Sequence, residues 1–144
     1  MTAQQECEEL MNDILPLAIQ MLEERGEFYP YGGKVTSEGE IIHVDVMDDD
    51  TDHPESNPLI ETMTREFRDE GRTGTCRATA MVMDVKVVPP EETTKTDAIQ
   101  VCLDHRDGYA VEVFFPYAID RLRKIVIHPP FAQKGASRIF GPVN

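Results

Sequence analysis

The stretch Thr75-Cys76-Arg77-Ala78-Thr79-Ala80-Met81-Val82-Met83-Asp84-Val85-Lys86-Val87-Val88 decides the fold. In an extended chain it puts Thr79, Met81, Met83, Val85 and Val87 on one face and Ala78, Ala80, Val82, Asp84 and Lys86 on the other. The first half is apolar on both faces, so a long strand covered on two sides is expected there. Downstream, Pro89-Pro90-Glu91-Glu92-Thr93-Thr94-Lys95-Thr96 has the composition of a solvated turn. Asp97–Asp104 and Tyr109–Tyr117 then alternate apolar and polar residues around His105-Arg106-Asp107-Gly108, whose Asp-Gly pair signals a hairpin.

Upstream of the long strand, Leu59, Ile60, Met63 and Phe67 form an apolar stripe. Asn57 serves as N-cap, Pro58 stands at the first helical position and Gly71 ends the helix. Before it, Lys34-Val35-Thr36 and Ile41–Val46 flank Ser37-Glu38-Gly39-Glu40 and read as a hairpin. The chain begins with helical periodicity from Gln4 to Arg25, with Thr2 as N-cap and Gly26 as stop, and Pro16 predicts a kink or two shorter helices. Short turns between successive strands make them antiparallel. The expected fold is α+β, a five-stranded, mainly antiparallel sheet with two helices on one face, in the order α-β-β-α-β-β-β plus a basic C-terminal tail. Leu122–His128 is a candidate strand within that tail. One domain is expected over residues 1–117, with residues 118–144 packed on it. The element order is similar to that of roadblock and profilin-like folds, and such a likeness does not fix a function.

The chain has 144 residues, 40% of them hydrophobic and 28% charged, enough apolar material for one core. Asp and Glu number 27 against 14 Lys and Arg, a net charge of -13 that argues against nucleic acid as a partner. The charge is polarised. Residues 118–144 hold five basic residues and one acid, a balance of +4, which leaves -17 for residues 1–117. Three acids and no Lys or Arg lie between Met1 and Glu9, so no secretory signal is expected there, and no apolar run is long enough to span a membrane. Cys7, Cys76 and Cys102, an odd count at wide spacings, fit reduced thiols and a cytoplasmic setting.

The densest acid run is Asp48, Asp49, Asp50, Asp52 and Glu55, the expected docking region for a basic protein partner. A metal-dependent enzyme or metal-binding protein is the alternative, since His43 and Asp45 share a strand face and could converge on a cation with Asp50, Asp52 and His53. The alternate spacing of Asp48, Asp50 and Asp52 opens a calcium loop, but His53 stands where that loop needs Gly and Leu59 where it needs Glu. The ordinary reading is a solvated acidic loop before a helix N-terminus. Cys102 and His105 should face opposite sides of their strand, which removes a cysteine–histidine nucleophile. Gly32-Gly33-Lys34 and Gly71-Arg72-Thr73-Gly74 lack phosphate-loop spacing and read as turns. Phe28, Tyr29, Tyr31 and Tyr117 read as an aromatic cap on the sheet rather than a binding patch. Asp84, Asp104 and Glu112 are candidates for acid–base work, and the ordinary reading is a solvent-facing side of the sheet.

Gly26-Glu27-Phe28-Tyr29-Pro30-Tyr31-Gly32 and the segment Asp97–Ala110, running on to Phe115-Pro116-Tyr117, resemble parts of small uncharacterised bacterial α+β proteins. That resemblance implies an aromatic-proline turn and a hairpin, and no reaction. Small acidic α+β chains are also similar in character to bacterial toxin-immunity proteins, which mask cationic active sites. Binding rather than catalysis is therefore expected, with no cofactor, with a basic protein or a second copy as partner, and with no membrane or nucleic acid.

Overall fold

A computed structural model describes residues 1–45 and 56–141. The elements are α1 (Ala3–Arg25), β1 (Tyr31–Thr36), β2 (Ile41–Val44), α2 (Ser56–Thr73), β3 (Cys76–Val87), β4 (Thr96–His105), β5 (Ala110–Ile119), β6 (Ile125–Ile127) and β7 (Phe131–Lys134). Among the described residues all strand pairs are antiparallel, in the order β2-β1-β3-β4-β5-β6, and β7 also pairs with β5.

The class is α+β with an antiparallel sheet and two helices, but the sheet has seven strands rather than five. The two additional strands come from the basic tail. β6 pairs with the last residues of β5, Tyr117–Ile119, and β7 with Val111–Phe114. β5 itself runs to Ile119, past the boundary drawn after residue 117. The element order thus departs from the α-β-β-α-β-β-β pattern behind the likeness to roadblock and profilin-like folds.

The helices are also not on one face. Cys7, Leu10, Ile14, Ala18 and Leu22 of α1 pack with Ala78, Ala80, Val82, Ile99, Val101 and Leu103, whereas Met63 and Phe67 of α2 pack with Met81, Met83, Val85 and Cys102. From Ala78 onward even-numbered β3 residues face α1 and odd-numbered ones face α2, as strand alternation requires, while a register shift between Cys76 and Ala78 turns Arg77 to the α1 side. Each face buries its own apolar cluster, which is why Ala78–Met83 of β3 is buried throughout.

Gly32 and Gly33 lie within β1 and not in a turn. A Cβ at Gly32 would meet the Ala80 carbonyl oxygen at 2.5 Å and the Met63 sulfur at 2.7 Å; one at Gly33 would meet Ile14 Cγ2 at 2.9 Å. The pair lets both helices approach one strand from opposite sides.

α1 is one continuous helix despite Pro16. A reciprocal capping box of Thr2 and Gln5 opens it, and Gly26, with φ of 78°, closes it through a bond to the Leu22 carbonyl. At the proline turn the Tyr31 hydroxyl enters the ladder, donating to the Ile14 carbonyl at 2.6 Å and accepting from the Ala18 N–H at 3.0 Å. Phe28 meets Tyr31 edge-on at 5.9 Å, and both are buried. The aromatic-proline segment therefore closes the core beneath α1.

Candidate functional site

Acidic side chains collect on the outer side of α1 and around β1–β2. Glu8, Glu9, Asp13, Glu38, Glu40 and Asp45 are all exposed. Their elements are neighbours, because Asp13 pairs with His43 of β2 at 2.8 Å and because Glu9 lines the same crevice as Gly39 and Ile41. Residues 1–45 carry ten acids against Arg25 and Lys34. α1 owes this surface to periodicity, since its apolar stripe faces the sheet and leaves the acids outward.

The sequence-derived docking residues Asp48, Asp49, Asp50, Asp52 and Glu55, and the candidate metal ligand His53, lie outside the described residues. Of the remaining metal candidates, His43 is engaged by Asp13 and Asp45 is exposed beyond the end of β2. Among the described residues no group of three or more His, Cys, Asp or Glu side chains is arranged to hold a metal ion.

Cys102 and His105 sit on opposite sides of the sheet. Cys102 belongs to the cluster under α2, while His105 is buried and its Nε2 lies 3.2 Å from Glu6 of α1. Nδ1 of His105 accepts the Asp107 N–H at 3.0 Å, so the ring proton resides on Nε2 and is donated to Glu6. Glu6 also pairs with Arg77 at 2.7 Å. This three-residue tie joins the first turn of α1 to β3 and β4, and nothing in the local sequence signals it. Burial pushes all three thiols up, Cys7 and Cys102 to about 12 and Cys76 to about 11, which removes them as nucleophiles near neutrality.

The three strand carboxylates have separate structural duties. Asp84, on the α1 side, accepts the Tyr117 hydroxyl at 2.7 Å; the contact is partly desolvated and its carboxyl is pushed above the usual range. Asp104 and Glu112 are not solvent-facing as expected, because residues 135–139 of the tail lie across them. Asp104 Oδ2 accepts the Ile139 N–H at 3.0 Å, and burial pushes this carboxyl up as well. Glu112 Oε2 accepts from Gln133 at 2.7 Å, and the Arg138 guanidinium stands 4.0 Å from Oε1. The space left between them and Cys102 is about 20 Å³, room for roughly one water and not for a substrate. These groups clasp the tail to the sheet.

The β5–β6 turn carries Arg121, Arg123 and Lys124. No helix among the described residues is long and apolar enough to cross a membrane. Comparison with known proteins returned no matching family model, no matching curated protein and no matching solved structure.

Proposed function

We propose that the chain is a non-enzymatic binding domain whose acidic surface docks a basic protein partner. The observation that carries this reading is the gathering of exposed, largely uncompensated carboxylates along α1 and the β1–β2 turn. Asp13, which meets His43, is the one of these six with an ion pair among the described residues. The carboxylates with catalytic appearance in the sequence, Asp84, Asp104 and Glu112, are meanwhile used to hold structure together.

Such a surface favours cations at long range, raising the association rate and making it salt-sensitive. The Asp48–Glu55 run would add to the same potential from the chain that follows β2. A toxin's cationic active site, of the kind an immunity protein masks, has the matching chemistry. The pairing of His43 with Asp13 weighs against the metal-dependent alternative.

Affinity capture from native lysate at low and high salt tests this reading. One basic protein recovered in stoichiometric amount at low salt, and released by high salt, is expected. Recovery of no specific basic protein at low salt contradicts it.

A further inference from the structure

The β5–β6 turn presents an apolar side chain among unpaired cations on a rigid frame. Leu122 is 81% exposed, and Ile119, Val126 and Ile127 are also among the exposed large hydrophobic residues. By the register of β5 with β6, Ile119 and Ile127 share one face and Val126 lies on the other, so Leu122 at the tip, the most exposed of the four, is the apolar contact that the turn offers. Arg121, Arg123 and Lys124 surround Leu122 and make no ion pair among the described residues.

The turn is organised before any partner arrives. Asp120 Oδ1 accepts the N–H groups of Leu122 and Lys124 at 2.8 and 2.9 Å, and the Asp120 N–H bonds the Lys124 carbonyl at 3.0 Å. Arg123 takes the left-handed conformation, with φ of 62°, that closes the turn. A preformed turn loses little entropy on docking, which is the condition under which one exposed leucine contributes affinity.

A complementary socket exists on the same molecule. A crevice of about 50 Å³ is lined by Met1, Val35 and Ile41 together with Glu6, Glu9, Gly39 and Arg77. The exposed Glu38 and Glu40 flank Gly39. A floor of Val35 and Ile41 under a rim where Glu9, Glu38 and Glu40 outnumber Arg77, which Glu6 already pairs, matches an apolar tip among cations.

The turn cannot enter its own socket. Glu23 Oε2 accepts the Ile125 N–H at 3.1 Å, which fixes β6 beside the C-terminal end of α1, whereas Glu6 lines the crevice near the N-terminal end. Seventeen residues of helix separate these two glutamates, about 25 Å by helix rise.

We infer that the socket is filled by the β5–β6 turn of a second copy of this chain, with Leu122 on the apolar floor and Arg121, Arg123 and Lys124 against Glu9, Glu38 and Glu40. The inference rests on the reading of the acidic face as a docking surface, and it names one occupant. Plug and socket are different patches, so the contact is heterologous.

Sedimentation equilibrium at about 0.5 mM protein and about 50 mM salt, where screening is weak, tests it. A mass of two copies or more is expected for the wild type. Leu122→Asp, and separately Arg121→Glu/Arg123→Glu/Lys124→Glu, should weaken association at least about tenfold with unchanged circular dichroism. Glu9→Lys/Glu38→Lys/Glu40→Lys should do the same, and mixing the two charge-reversed variants should restore association. A monomeric wild type, or variants that associate like it, overturns the proposal. So does Leu122-dependent binding of a monomer to phosphatidylserine vesicles, which would assign the patch to a membrane surface. None of these failures touches the capture of a foreign basic protein, so the two readings fail separately.

Discussion

The hydroxyl of Tyr31 donates to the Ile14 carbonyl oxygen across 2.6 Å, inside the hydrogen-bond ladder of α1. It also accepts from the Ala18 N–H, so one side chain replaces the bond that Ala18 would otherwise make to Ile14. Pro16, which lacks a donor and crowds the preceding turn, opens the ladder at this point. Tyr31→Phe should therefore cost about 1–2 kcal/mol. In a Pro16→Ala background the turn can close on itself, and the cost of Tyr31→Phe should fall by about 0.5 kcal/mol or more in a double-mutant cycle. Strict additivity in urea denaturation would contradict the link.

The two adjacent glycines of β1 should differ in tolerance. At Gly32 an added methyl meets the Ala80 backbone oxygen, which cannot move aside, whereas at Gly33 it meets the ends of the Ile14 and Leu10 side chains. Gly32→Ala should cost about 3 kcal/mol or more and Gly33→Ala about 1 kcal/mol. Equal costs in urea denaturation would contradict opposed packing of the two helices.

The raised carboxyl of Asp84 gives a signed pH dependence. A folded-state value above the ordinary 3.8 means that its contribution to stability is fully present below 3.8 and is lost as pH rises through the folded value. Asp84→Asn keeps an oxygen acceptor for Tyr117 and removes the charge from this partly desolvated contact. The variant should be at least as stable as the wild type at pH 7, and the wild type should gain on it as pH falls toward about 4. Melting temperatures over that range check the sign; a wild type that loses ground on acidification contradicts it.

Thiol labelling probes the clasp. At pH 8 the raised thiols should react on the order of a hundredfold or more slowly than an unfolded control. Removing residues 136–144, or substituting Ile139→Asp, should raise labelling of Cys102 at least about tenfold and leave Cys7 and Cys76 protected. Loss of protection at all three sites in both variants, or no change at Cys102, would contradict a tail that covers this one thiol.

Much of the fold is legible in the sequence because its long elements carry clear periodicity. The mixed faces of β3 already imply cover on both sides, yet one-sided antiparallel sheets are common enough that both helices were expected together. The register that sends odd β3 residues to α2 is a tertiary fact. β6 and β7 span three and four residues, too few for alternation to show, and Pro129-Pro130 between them reads as a break. Gly32-Gly33 reads as a turn because glycine serves both free backbone and close approach, and only the helices overhead distinguish the two.

The site is legible as charge and not as contacts. Helical spacing turns the acids of α1 outward, but thirty residues separate Asp13 from His43 and ninety-nine separate Glu6 from His105. No local pattern reports such pairs. The apparent acid–base set of Asp84, Asp104 and Glu112 dissolves for the same reason, since the tail that Asp104 and Glu112 hold arrives from far along the chain.

The most direct measurement of the central claim is affinity capture at low salt, with the wild type compared against Glu8→Lys/Glu9→Lys/Glu38→Lys/Glu40→Lys. These four side chains are exposed, so the variant should keep the wild-type circular dichroism and melting behaviour. A basic protein held stoichiometrically by the wild type and lost from the variant is the result predicted. The same captured proteins in the same amounts from both would contradict it.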